Sequence, residues 1–115
     1  MDVLDLAHLI VDIVSDVKAE DIVLLDIQEI TTISDYFVIC HATSERQLKA
    51  IIDRVTLTLK DDHKIRPFGV EGDANGGWVL LDYSGVVLHV FSPEMREYYD
   101  LEAFWGEGKT LVRMQ

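Results

Sequence analysis

The chain has 115 residues, enough for one domain with its own core and too few for two of ordinary size. Hydrophobic residues make up 49%, which excludes a disordered chain. Ten Lys and Arg stand against 21 Asp and Glu, a net charge of −11; this excludes the basic face of an autonomous nucleic-acid binder, argues against an anionic membrane surface, and favours a basic protein surface as partner.

The single cysteine, Cys40, has no internal disulfide partner and suits a reducing compartment. No apolar run approaches the ~20 residues of a membrane span. The N-terminus lacks a basic n-region and reads as folded structure, so a cytoplasmic α/β domain is expected.

Val3, Leu6, Ile10, Ile13, Val14 and Val17 recur at helical spacing and predict a helix over 2–19. Ile22, Val23, Leu24 and Leu25, bounded by acids, predict a strand over 21–27 buried on both faces. A turn region over 30–35 leads to a second apolar strand over 36–42. Ser44 with Gln47 fits a capping box, and Leu48, Ile51, Ile52, Val55 and Leu59 predict a helix over 44–60. Pro67 restricts any strand over 63–69 to a short or edge position. The glycines at 72, 76 and 77 mark a turn. Runs 78–83 and 86–91 around Ser84-Gly85 predict a hairpin with a two-residue turn. Ser92 and Pro93 start a further helix that runs to Glu97 or Tyr98 and resumes across 101–105, ended by Gly106 and Gly108. The domain is drawn as 1–105, with 106–115 a short C-terminal tail.

Alternation along the hairpin puts Val79, Leu81, Tyr83, Val86, Leu88 and Val90 on one face. The other face carries Trp78, Leu80, Asp82, Val87, His89 and Phe91, mixing aromatics with an acid and an imidazole. Two readings stand open for it. Helices cover both faces and Asp82 and His89 are satisfied polar groups at the rim, or the mixed face is partly open and forms a docking patch with an anchor and a charge.

Catalytic patterns are missing. His8, His41, His63 and His89 have no metal-pair spacing, and no phosphate loop, dinucleotide fingerprint or nucleophile elbow occurs. Cys40 reads as an inert core residue, with His41 pointing to the opposite face of its strand. Asp26 and Asp82 could meet across a sheet and hold Mg²⁺, although strand-end acids more often face solvent. The segment 94–102 mixes acids with Tyr98 and Tyr99: a solvated face, or a surface that grips arginine and lysine.

Ser34-Asp35-Tyr36-Phe37-Val38-Ile39-Cys40 followed by Thr43-Ser44-Glu45-Arg46-Gln47 resembles the ribosomal silencing factor family, also called Iojap-like. So do Glu71-Gly72, Gly77-Trp78-Val79-Leu80-Leu81-Asp82-Tyr83, Val87-Leu88-His89-Val90-Phe91 and Arg96-Glu97-Tyr98-Tyr99-Asp100-Leu101-Glu102. The blocks stand in order over roughly residues 2–105. The resemblance implies a single α/β domain with a mixed β-sheet flanked by helices, related to nucleotidyltransferases. It implies binding to the large ribosomal subunit through ribosomal protein L-fourteen, a steric block of subunit joining, and an association with large-subunit maturation. It implies no enzyme activity, cofactor or metal.

A nucleotidyltransferase-like enzyme is the alternative. Such enzymes carry a Gly-Ser loop and paired acids for two metals; the stretch between the first two strands lacks Gly-Ser, and no Asp-x-Asp occurs. The expected docking patch is the mixed face of the hairpin plus the C-terminal segment. Trp78 is its anchor, Asp82, Glu71 and Glu97 meet basic residues, and Tyr83, Tyr98, Tyr99 and His89 add contact area. Tyr83 is awkward, because alternation puts it on the other face. Sequence-specific nucleic-acid contact is not expected, and exposed aromatics on a small domain suit a homodimer as well.

Overall fold

The computed structural model describes residues 1–32, 34–104 and 108–115. In chain order the elements are α1 (Val3–Asp16), β1 (Glu20–Asp26), β2 (Tyr36–His41), α2 (Glu45–His63), β3 (Gly69–Asp73), β4 (Trp78–Asp82), β5 (Val86–Phe91), α3 (Pro93–Tyr99), α4 (Leu101–Phe104) and β6 (Lys109–Met114). The strands form one mixed sheet in the order β3-β4-β5-β2-β1-β6. Only β2 and β5 run parallel; the other neighbours are antiparallel. A parallel pair needs a long crossover, and α2 with the β3–β4 hairpin supplies it.

Helices α1 and α2 cover one face of the sheet. Leu6, Ala7, Ile10, Val11, Ile13 and Val14 of α1 and Leu48, Ile51, Val55 and Leu59 of α2 bury against Val38, Cys40, Leu81, Leu88 and Val90. The opposite face is built on Val23, Leu25, Phe37, Ile39, Val87 and Phe91, with Trp78, Leu80, Met95 and Leu101 partly buried over it. β1 and β2 are therefore apolar on both sides, as their unbroken aliphatic runs predict.

Local signals place most boundaries. Ser44 Oγ accepts from Gln47 N at 3.0 Å, capping α2. The expected box does not close on itself. Gln47 Oε1 accepts from the amide of Thr43 rather than that of Ser44, and Nε2 donates to the Val17 and Lys18 carbonyls, tying α2 to the end of α1. α1 stops at Asp16, short of Ala19, because Lys18 turns the chain with φ 66°. The helix α2 runs on to His63, where Lys64 adopts a left-handed cap. Ser92 Oγ accepts from Met95 N, and Pro93 opens α3.

The hairpin turn Ser84-Gly85 is held from outside. Ser34, only 4% exposed, donates its hydroxyl to the Gly85 carbonyl at 3.0 Å, and that oxygen also accepts from the amides of Asp35 and Tyr36. The Ser34-Asp35 pair is thus a structural clamp joining β2 to the β4–β5 turn. Gly85 has no room for a Cβ, which would fall 2.5 Å from Val3 Cγ1.

One expectation about the C-terminus changes. Residues 109–114, set apart as a tail, form β6 and pair with β1, so β1 is not an edge strand. A short β strand carries few local signals of its own; the exposed backbone of β1 is what recruits it. The expectations for Trp105 and Gly106 lie outside the described residues.

β3 lies at one edge of the sheet over Gly69–Asp73, beyond the 63–69 stretch in which Pro67 allowed only a short or edge strand and reaching into the expected turn at 72–77. Its Gly72 has φ +80°, and a Cβ there would collide with the Trp78 carbonyl. Gly72→Ala should therefore destabilise the protein by about 2 kcal/mol or more, combining left-handed strain with displacement of β3 from β4. Urea unfolding checks this, with an unchanged midpoint as the contrary result.

Candidate docking site

The mixed face of the hairpin is where the structure gathers aromatic side chains. Cross-strand register places Trp78 opposite Phe91 and Leu80 opposite His89, so their side chains share one face. α3 then crosses that face and brings Tyr99 onto Trp78, with ring centroids 4.4 Å apart. Trp78 also stacks on Phe91 at 5.1 Å and on His89 at 5.9 Å. Tyr98 meets Tyr99 edge-on at 5.1 Å and is itself 77% exposed. The result is a series of rings that starts in the core at Phe37, which packs edge-on to His89, and ends in solvent at Tyr98.

Acids border these rings. Glu71 on β3 pairs in register with Leu80 and lies on the same face, beside a shallow cavity of about 210 Å³ lined by Glu71, Gly72, Trp78 and Leu80. Asp82 is half-buried on that face, and its Oδ1 accepts from Ser84 N at 2.8 Å. Glu97 is exposed on α3. Trp78, Glu71, Asp82, Glu97, Tyr98 and Tyr99 thus come to one side of the molecule.

Two residues of the expected patch are not surface groups. Tyr83 is 5% exposed on the helix-covered face, as strict alternation dictates, and burial pushes its hydroxyl up to about 12. His89 is 4% exposed. Its Nδ1 accepts from Trp78 Nε1 at 3.3 Å, so the ring proton sits on Nε2, which has no partner. Burial lowers its pKa to about 4, leaving it neutral. His89 orients the Trp78 indole from below. The face is therefore neither fully covered nor open: α3 and the rings close its centre and leave an aromatic and acidic margin.

The residue that sequence reasoning passed over is Arg96. It is 7% exposed at the middle of α3. Its Nη1 donates to the carbonyls of Glu20 and Asp21 and lies 3.0 Å from His41 Nδ1, while Nη2 is 3.5 Å from Asp21 Oδ2. Arginine only donates, so His41 Nδ1 accepts and its proton sits on Nε2, 3.3 Å from Glu20 Oε1. A lone arginine among acids on a short helix was the available signal.

Among the described residues, Asp26, Asp82 and Cys40 do not come together as a catalytic arrangement. Asp26 shares the helix-covered face with Tyr36, whereas Asp82 lies on the other face, with two strands between their own. Each aspartate instead accepts from a backbone amide two residues on. Cys40 is fully buried and its thiol is pushed up to about 12 by desolvation, far from a reactive thiolate. Among the described residues no group of three or more His, Cys, Asp or Glu is placed to hold a metal ion.

Two outcomes follow from this site. Arg96→Met should lower stability by about 3 kcal/mol in urea unfolding, because it strips a buried donor from several acceptors, while the half-exposed Arg113, 3.0 Å from the same Asp21 oxygen, should lose under about 1 kcal/mol as Arg113→Met. The depressed pKa of His89 means that the unfolded chain binds the extra proton between about pH 6.5 and about 4. Its contribution is present above the unfolded value and is lost as pH falls through that window, on the order of 3 kcal/mol by its end. His89→Phe should flatten this part of the stability profile relative to the parent protein; parallel profiles would contradict it.

Comparison with known proteins adds the family. The profile described as "Ribosomal silencing factor during starvation" matches residues 1–115. A ribosomal silencing factor of Halalkalibacterium halodurans is 39% identical over 107 residues, covering 93% of this chain and 91% of that one. More distantly, a mouse protein named mitochondrial assembly of ribosomal large subunit protein 1 is 29% identical over 102 residues, covering 84% of this chain and 43% of that one. The crystal structure of a Chromobacterium violaceum protein superposes with a TM-score of 0.87 at 34% identity, covering all of this chain and 94% of that one. The aromatic and acidic face described above is therefore carried by a chain that belongs to the ribosomal silencing factor family.

Proposed function

We propose that this protein represses translation by docking on the large ribosomal subunit through ribosomal protein L-fourteen, where it stands in the way of the small subunit. The observation that carries the reading is the Trp78–Tyr99–Tyr98 series with Glu71, Asp82 and Glu97 around it, on a chain with a net charge of −11. Rigid aromatic anchors with a charged rim are what a protein–protein contact needs. An acidic face complements a basic ribosomal protein and is repelled by bare RNA phosphate. A steric block requires occupancy and no reaction, and the separated Asp26 and Asp82 leave the enzyme alternative without its metal pair.

Such a blocker needs an interface of about 1,600 Å² in total, and its effect depends on its affinity in competition with the small subunit. The same exposed rings suit a homodimer, in which case self-pairing and ribosome binding compete for one face. Among the described residues no helix is long and apolar enough to cross a membrane, and the protein would work in the compartment that holds its ribosomes, the cytoplasm in a bacterium. The name of the mouse relative favours a second reading, a role in large-subunit assembly.

Sedimentation of the purified protein with separated subunits tests both. Co-migration with the large subunit and fewer joined ribosomes are expected. Co-migration with undiminished joining would favour assembly, and no co-migration at micromolar protein would reject docking. Tyr98→Ala and Glu97→Lys, at exposed positions, should each weaken binding on the order of tenfold with the fold intact. Trp78→Ala that stays folded and binds unchanged would remove the centre of the site.

A further inference from the structure

The docking face ends at an open sheet edge. β3 pairs with β4 on one side, and among the described residues no strand lies along the other. Val70 on this strand is 56% exposed, and Phe68 just before it is 82% exposed. Such an edge is a template for a further strand.

The two sides of the edge differ chemically. Val70 pairs with Leu81 and so faces the helix layer. There it borders a groove of about 200 Å³ between α2 and β3, with Leu48, Ile52 and Val79 in its walls. Glu71 pairs with Leu80 and borders the docking face, whereas Asp73, at the end of the strand, lines the groove and its Oδ1 accepts from Gly76 N at 2.6 Å. A strand added to β3 presents alternate side chains to these two sides. It fits best if one set is apolar and enters the groove while the other is basic and meets Glu71.

We infer that the β3 edge accepts an extended segment of the docked protein partner, with alternating apolar and basic side chains, as an added strand of the sheet. The inference rests on the docking reading above and extends it from a patch of side chains to a backbone contact continuous with that patch. A second copy of this chain is the poorer occupant, since it would bring Glu71 and a like charge of −11 to their own image. RNA is poorer still, since its phosphates meet the same acids.

Amide hydrogen exchange of the full chain, read with and without purified bacterial large subunits, tests this alongside co-sedimentation. Slowed exchange across 69–73 on binding is expected. Val70→Lys and Glu71→Lys should each weaken co-sedimentation on the order of tenfold. Leu57→Lys, at an exposed α2 position outside the groove, should bind as the parent does, and thermal melts verify that each variant folds. Full co-sedimentation with unchanged exchange at β3 and parent-like binding by both edge variants overturns the strand addition and leaves docking standing. Slowed β3 exchange that grows with protein concentration alone assigns the edge to a second copy and overturns it too. Absence of any co-sedimentation defeats the docking reading, and this inference with it.

Discussion

The buried guanidinium of Arg96 is the contact on which the second face of the sheet depends. A cation taken out of water must be surrounded by acceptors, and it finds them where β1 begins and β2 ends, among them two carbonyls, one carboxylate and one imidazole nitrogen. The start of β1 is shaped for this. Asp21 has φ +46°, and the β1–β2 register shifts between Glu20 and Val23, a local bulge of the kind that re-aims backbone groups. At its N-terminal end α3 is tied to the β3–β4 turn, where Ser92 N donates to the Gly77 carbonyl at 2.9 Å. Gly77, with φ +80°, has no room for a Cβ against Ser92 and Met95. Held at its start and at its middle, a helix of seven residues lies across the sheet in one position, and Tyr99 therefore meets Trp78.

That placement gives the docking face its physical character. The rings of Trp78, Tyr99 and Tyr98 are positioned by packing before any partner arrives, so little side-chain freedom remains to be lost on binding. The buried His89 adds a directional constraint, since a neutral imidazole accepting from the indole N–H favours one orientation of Trp78. The unpartnered Nε2 of His89 carries an energetic penalty, one that aromatic packing on Phe37, Trp78 and Phe91 offsets. The acids, by contrast, stay at the margin, where in the proposed docking they would contribute to steering and choice of partner more than to raw affinity.

Motifs that stand out in the sequence serve the fold in this member of the ribosomal silencing factor family. The Ser34-Asp35 pair and the Gly72–Gly77 cluster, which stand out in the sequence, are used for folding. Ser34 clamps the hairpin turn, and the glycines allow β3 to turn tightly against the Trp78 backbone and α3 to approach it. Their chemistry is spent on positioning β4, the strand that carries Trp78 and Asp82.

Much of this was legible in the residues themselves, because it is set by neighbours a few positions apart. Period-two alternation assigned every side chain of the hairpin to its correct face, including the awkward Tyr83, and the Ser44 and Ser92 caps marked two helix starts. Glu71, Trp78, Asp82, Glu97, Tyr98 and Tyr99 could be proposed as one face because the strands and the helix that carry them are adjacent in the chain. Tertiary structure alone decided what depends on closure over long separations. Arg96 reaches its carbonyl acceptors 75 and 76 positions away. β6 becomes a strand only because β1 offers it a backbone edge, and His89 is buried only because Phe37, Trp78 and Phe91 converge on it. Periodicity and capping are local energies that a sequence displays directly. Burial of a charge, the order of strands and the exposure of a ring arise from packing among distant segments, and no single segment displays them.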